Sequence, residues 1–190
     1  MRWLSIFIVL STAFCFQCKG KDSTSGSADA SEGKVGKTEL TGFETPEAAW
    51  KTFQKAVTDK DAERIWSFIS EKSQKALLEG DQARQMEGLR ELPDEALDPM
   101  AKSIGKTPAE LKSMPLPELA RAVMFAEAMK NRENIMGSNI KSVEMKGDSA
   151  IVVTIKPDGK EDVVVLSKEH NAWKLDGEMT AKMKMSMNVR

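Results

Sequence analysis

The apolar residues of this chain change their spacing near residue 140, and this change limits the folds that the chain can adopt more than any other feature. Upstream they recur every three or four positions, as Trp50, Phe53 and Val57 do, which is typical of amphipathic helices. From Ile140 onward they alternate with polar residues, which is typical of strands with one buried face. We therefore predict an α+β fold, in which N-terminal helices and a helical insertion pack on a C-terminal four-strand antiparallel meander.

Local start signals define the helical part, which we predict over residues 45–136. Thr45 precedes a proline and a glutamate, and this order predicts an N-cap residue, a proline at the first helical position and an acid in the first turn. Thr107 and Glu110 have the spacing of a capping box. After two prolines, one long helix is expected from residue 118 to about residue 134.

Turn residues divide the C-terminal part, residues 140–176, into four strands. Asp158-Gly159 predicts a type I′ hairpin turn, because these residue types accept the positive φ angles that such a turn requires. The predicted strands are residues 140–145, 150–156, 161–168 and 172–175.

The N-terminus has the features of an export signal. Arg2 is followed by a mostly apolar run over residues 3–16, and this run is shorter than the ~20 residues that a membrane-spanning helix needs. We therefore predict an export signal peptide over residues 1–17. Residues 18–41 are rich in Gly, Ser and Asp, which predicts a flexible tether. A single α+β domain is expected over residues 42–190, ending in a methionine-rich tail over residues 178–190.

Two processing routes fit this N-terminus, and a retained signal anchor is a third outcome. In the first route Cys18 becomes the acylated N-terminal residue, although Gln17 before it departs from the usual Leu-Ala-Gly-Cys pattern. This route predicts a lipoprotein of the cell membrane or outer membrane that faces the periplasm or the outside. In the second route a signal peptidase cleaves after Ala13, which predicts a soluble secreted or periplasmic protein.

The charge balance and the rare residue types exclude several functions. Lys plus Arg number 28 and Asp plus Glu 29, so the chain lacks the basic excess that binding to nucleic acid requires. The same balance makes acyl chains the only expected contact with the membrane. There is one histidine, and both cysteines lie within the first 18 residues. We therefore predict neither a metal site nor a cofactor.

Two parts of the chain resemble a known family. The first contains Thr-Pro-Glu-Ala-Ala-Trp from Thr45, then Lys60-Asp61 and Ile65-Trp66-Ser67-Phe68-Ile69-Ser70. The second contains Gly147-Asp148-Ser149-Ala150-Ile151-Val152-Val153 and Asn171-Ala172-Trp173-Lys174-Leu175-Asp176. These parts, about residues 45–80 and 140–177, resemble small bacterial lipoproteins with a nuclear-transport-factor-2-like, cone-shaped α+β domain.

The resemblance implies a cone-shaped fold and no particular activity. Enzymes with this cone place a buried Asp or His beside a Tyr, whereas this chain has no tyrosine. Its histidine, His170, falls in a predicted exposed turn. We therefore predict that the protein is not an enzyme and name no catalytic residue.

Large aromatic residues are the candidate binding residues. Trp50, Phe53 and Trp66 come from the helices that would line the cone, and Trp173 comes from the sheet. Such residues either fill the core or line a pocket for an apolar ligand. Met183-x-Met185-x-Met187 in the tail offers soft ligands for Cu(I), but an edge strand or a packed helix face explains the same pattern.

These observations favour an exported, lipid-anchored envelope protein that acts as a non-catalytic binding or interaction module. Its expected partners are the membrane, through the N-terminal acyl chains, and either an apolar small ligand or another envelope protein. Two alternatives are a divergent cone-fold enzyme that acts on a small molecule and a purely structural spacer of the envelope.

Overall fold

A computed structural model describes residues 42–187 of the chain, and it confirms the α+β fold. Helices form the first part of this region, and a four-stranded antiparallel sheet followed by one further helix forms the second. The helices are α1 (Pro46–Asp59), α2 (Ala62–Ser67), α3 (Glu71–Leu78), α4 (Gly80–Gly88), α5 (Asp94–Ser103), α6 (Pro108–Ser113), α7 (Leu116–Lys130), α8 (Arg132–Met136) and α9 (Gly177–Met187).

The predicted helix starts are confirmed by their capping hydrogen bonds. The Thr45 hydroxyl accepts a hydrogen bond from the Ala48 N–H at 3.1 Å, and a proline occupies the first turn of α1. Lys60 ends this helix with φ 57°, and Asp61 then caps α2. At α6, Thr107 and Glu110 form both bonds of the capping box.

The long helix predicted after the two prolines is divided in the structure. Its main part, α7, begins at Leu116, because Pro117 is tolerated in the first turn of a helix, and ends at Lys130. The Asn131 side chain donates to the Glu127 carbonyl oxygen at 2.9 Å, and Asn131 has φ −98° and ψ 12°. This local bond competes with the helical pattern, so a separate short helix, α8, follows.

The sheet is the predicted meander, with its strands in the order β1-β2-β3-β4. Each strand pairs antiparallel with the next, and one irregularity at Lys141 interrupts the pairing of β1 with β2. The strands are β1 (Asn139–Lys146), β2 (Ser149–Ile155), β3 (Glu161–Glu169) and β4 (Ala172–Leu175).

The prediction of a type I′ turn at Asp158-Gly159 is wrong, because only Gly159 has a positive φ there. Pro157 fixes its own φ near −65°, and the Gly159 N–H donates to the Lys156 carbonyl oxygen at 2.9 Å, so the hairpin has a longer loop. The two-residue turn with both φ angles positive lies instead at His170 (49°) and Asn171 (64°), between β3 and β4.

The strand β3 is buried on both faces. Val164 and Leu166 of β3 belong to the main hydrophobic core, on the side where α1 packs. Val163 and Val165, which point to the other face, are also buried. The methionine-rich tail forms α9, which lies against β3. Of the two structures considered for the tail, an edge strand and a helix, the helix is the one that forms.

The outer edge of β4 is bonded to the N-terminal part of the domain. The Trp173 N–H donates to the Phe43 carbonyl oxygen and the Leu175 N–H to the Phe68 carbonyl oxygen, both at 2.7 Å. The Ser70 N–H in turn donates to the Leu175 carbonyl oxygen at 2.9 Å. The segment between α2 and α3 therefore pairs with β4 as a minimal parallel strand.

Replacing Gly159 by Ala should lower the free energy of unfolding by about 1–2 kcal/mol, because an L-residue resists its φ of +80°. Gly88→Ala is the matched control, since Gly88 has an ordinary φ of −59° and open space around it. We expect that control to be neutral or stabilising. Urea unfolding followed by circular dichroism measures both variants, and equal stability of the two would contradict the assigned turn.

Candidate functional site

Aromatic rings from three segments meet between α1 and the sheet. Phe53 and Phe68 stack with their ring centroids 4.5 Å apart, and Phe43 stacks on Phe68 at 6.2 Å. Trp50 approaches Phe53 at 5.5 Å and meets Phe68 edge-on at 6.5 Å. These separations lie in the range in which aromatic pairs attract each other, so the rings form one packed cluster.

Trp173 completes this cluster from the sheet. Its side chain is buried in the same hydrophobic core as Trp50 and Phe68. Its backbone N–H bonds to Phe43, so the strand and the segment before α1 are held together at this position. Three of the four predicted site residues, Trp50, Phe53 and Trp173, are therefore brought together.

Trp66 lies apart from the other three predicted site residues. Its helix, α2, packs against α7, and the Arg121 guanidinium carbon lies 5.7 Å from the centroid of the Trp66 ring. Arg121 also pairs with Glu63 at 3.2 Å. Because only 8% of Trp66 is exposed, its ring serves as a helix-to-helix contact covered by a cation.

One polar atom in the aromatic cluster is unsatisfied. The indole Nε1 of Trp50 is buried and has no hydrogen-bond partner, and only 6% of the residue is exposed. A buried N–H without an acceptor costs free energy. The packing of the Trp50 ring on Phe53 and Phe68 offsets this cost.

A narrow gap between side chains lies in the helical insertion, away from these aromatic rings. Three buried leucines form its floor, and it contains no space large enough for a water molecule. A gap this narrow has no room for a small ligand. Its lining consists of Leu89, Arg90, Leu97, Met100, Leu111, Lys112 and Leu119.

The most buried ion pair joins α9 to the start of β3. The Lys184 ammonium lies 2.7 Å from the Asp162 carboxylate, and Lys156 approaches the other oxygen of this carboxylate at 3.3 Å. Burial alone would raise the pKa of Asp162, but the two lysines and the Val163 N–H hold this pKa below its usual range. A carboxylate held ionised in this way tethers the helix and is a poor proton donor at neutral pH.

A second charged group lies at the start of α9, where water reaches it. Hydrogen bonds from Lys182 and Lys72 lower the pKa of Glu178 to about 2. Half of the Glu178 side chain is exposed, so solvent screens these contacts and they contribute little stability. Neighbouring Asp176 is buried and accepts a hydrogen bond from the Met179 N–H at 2.9 Å, so it caps α9.

Gln54 is a structural residue that the sequence pattern does not reveal. Its amide nitrogen donates to the carbonyl oxygens of Ile135 and Ser138, both at 2.8 Å. These two bonds fix the end of the helical insertion to α1 immediately before β1 begins. A single polar residue on a helix carries no sequence signal for partners 81 and 84 residues away, so only the structure identifies these bonds.

The remaining chemistry-bearing residues do not assemble into a reaction centre within residues 42–187. His170 lies in an exposed turn, with Nε2 3.5 Å from a Glu71 oxygen. No group of three or more His, Cys, Asp or Glu side chains in this range could hold a metal ion. Because the tail is helical, Met183 and Met185 point in different directions and do not face one shared Cu(I) position. Cys18 lies outside the described residues.

None of the helices in the described range is long and apolar enough to cross a bilayer. Comparisons with protein-family models, with curated proteins and with solved structures find no match to this chain. The assignment to cone-fold lipoproteins therefore rests on the resembling residues alone.

Trp50→Ala should lower the free energy of unfolding by about 3–5 kcal/mol, because the ring is enclosed by the aromatic cluster. Leu92→Ala is the control, since 39% of Leu92 is exposed, and its effect should stay within about 0.5 kcal/mol. Urea unfolding gives both values. A loss below about 1 kcal/mol for Trp50→Ala would mean that the ring borders open space and would restore the pocket interpretation.

Proposed function

We propose that the protein is an exported envelope protein, anchored by acyl chains on Cys18, whose folded part is a non-catalytic binding or interaction module. The observation that carries the non-catalytic part of this proposal is the filled aromatic cluster. Enzymes of the resembled cone fold need an open interior for a buried acid and a tyrosine. Here the rings of Phe43, Trp50, Phe53 and Phe68 occupy the space between α1 and the sheet.

A filled interior favours binding through the outer surface. Two of the more buried carboxylates hold α9 in place: Asp162 pairs with Lys184 of this helix, and Asp176 caps its first turn. The gap in the insertion is too narrow to hold a small molecule. An interaction module therefore fits this domain better than a receptor for a buried ligand.

The proposed anchor is supported by the order of segments along the chain. An apolar run precedes Cys18, and a Gly/Ser-rich stretch separates this cysteine from the folded domain. Roughly 20 residues of such a stretch span about 25 Å on average. The domain would thus work close to the membrane surface, with freedom to turn toward a partner.

Cys18→Ser should abolish incorporation of labelled palmitate and the mature form that begins at residue 18, because the acylated thiol is removed. Cys15→Ser is the matched control and should retain both, since Cys15 would be lost with the signal peptide. Labelling of cells followed by mass spectrometry of the N-terminus measures the two effects. Labelling that persists in Cys18→Ser, or a mature chain that begins at Phe14, would contradict the proposal.

A further inference from the structure

Most of the sheet edge in the described part of the chain is closed by specific contacts. The outer edge of β4 is bonded to Phe43, Phe68 and Ser70. The part of β3 that extends beyond β4 is covered by α9, because the Val165 N–H donates to the Thr180 hydroxyl at 2.9 Å and the Val165 carbonyl oxygen accepts from the Asp176 N–H. Protection of this kind prevents unwanted strand pairing.

The outer edge of β1 is different. Among residues 42–187, β1 pairs with β2 and with no other strand, so the other side of its backbone faces outward. The irregularity at Lys141 disrupts the first half of this edge, and Lys141 itself is engaged with Glu161. The second half, from Ser142 to Lys146, is regular and pairs residue by residue with β2.

The regular half of β1 carries an exposed apolar side chain. Met145 is 54% exposed, more than any other large apolar residue that the structure describes. It lies opposite Ala150 of β2, so it points to the side of the sheet on which α1 packs. Glu144 and Lys146 point to the opposite side and pair with each other at 3.2 Å.

This arrangement is complementary to a second copy of itself. In an antiparallel pair of β1 strands with a two-fold axis at Met145, the two Met145 side chains lie opposite each other. Glu144 of each copy then lies directly opposite Lys146 of the other copy, which gives two opposite-charge cross-strand pairs. A two-fold axis at Glu144 would instead oppose two carboxylates. The charge pattern therefore favours the register centred on Met145 over the one centred on Glu144.

We propose that two copies of this protein pair antiparallel through the end of β1, residues 144–146, so that their sheets join edge to edge around Met145. The pairing is isologous and uses the same edge of both copies. Because the neighbouring edges are closed by Phe43, Phe68 and α9, the assembly stops at two copies. This inference does not depend on the lipid anchor.

A cysteine at the two-fold axis tests the pairing directly. Met145→Cys in the full chain places two thiols within reach of each other, since opposite Cβ atoms on paired strands lie about 4.5–5.5 Å apart. A mild oxidant should convert this variant into a disulfide-linked dimer when whole cells are treated. Met185→Cys is the matched control, because Met185 is 49% exposed but lies on α9, and it should remain monomeric.

Charge substitutions in the Met145→Cys background test the register. Glu144→Lys opposes two pairs of lysines and should reduce cross-linking about tenfold. Adding Lys146→Glu restores both opposite-charge pairs and should restore cross-linking. Cross-linking of Met145→Cys no stronger than that of Met185→Cys, or a double charge exchange that fails to restore it, would overturn the proposed dimer.

The native chain, which retains Cys15 and Cys18, is the background in this experiment. Cross-linking of the native chain would show that one of these thiols remains free, and that result counts against the lipid anchor and not against the dimer. Cross-linking specific to residue 145 therefore separates the two proposals.

Discussion

The hydrogen bonds along the outer edge of β4 are the constraint on which the rest of the domain depends. They join the segments around Phe43 and Phe68 to the strand that carries Trp173. Once the backbones are joined there, the rings of Phe43 and Phe68 lie beneath Trp50 and Phe53 of α1. These bonds thus close the β4 edge. They also position the aromatic rings that fill the space between α1 and the sheet.

The sequence predicts the elements of this fold better than their contacts. The switch in apolar spacing near Ile140 and the cap at Thr45 are local, so helices, strands and helix starts follow from them. The predicted type I′ turn does not form at Asp158-Gly159, because Pro157 restricts the backbone beside it, while His170-Asn171 adopts the tight turn without a glycine. Gln54 and the Asp162–Lys184 pair act between distant segments, so no local pattern marks them.

In the candidate site, too, the sequence predicts the local arrangement of residues but not their contacts with distant segments. Helical spacing places Trp50 and Phe53 on one face of α1, and the structure brings both to Trp173. Trp66, like Trp50, is a tryptophan at a similar position on its helix. However, α7 covers that side of α2, and the Arg121 guanidinium lies over the Trp66 ring. Trp66 faces a second helix and not the sheet because the helical insertion supplies α7, and the local sequence around Trp66 does not reveal this contact. The filled cluster then leaves the outer surface, including the edge of β1, for recognition.

Amide hydrogen exchange of the folded protein, followed by NMR, tests the central claim about β4 most directly. If the bonds to Phe43 and Phe68 hold the domain together, the amide protons of Trp173 and Leu175 should exchange as slowly as that of Leu166 in the central strand β3, because all of them then open only with the whole domain. Exchange of the Trp173 and Leu175 amides as fast as that of an exposed turn residue such as Gly147 would contradict the account.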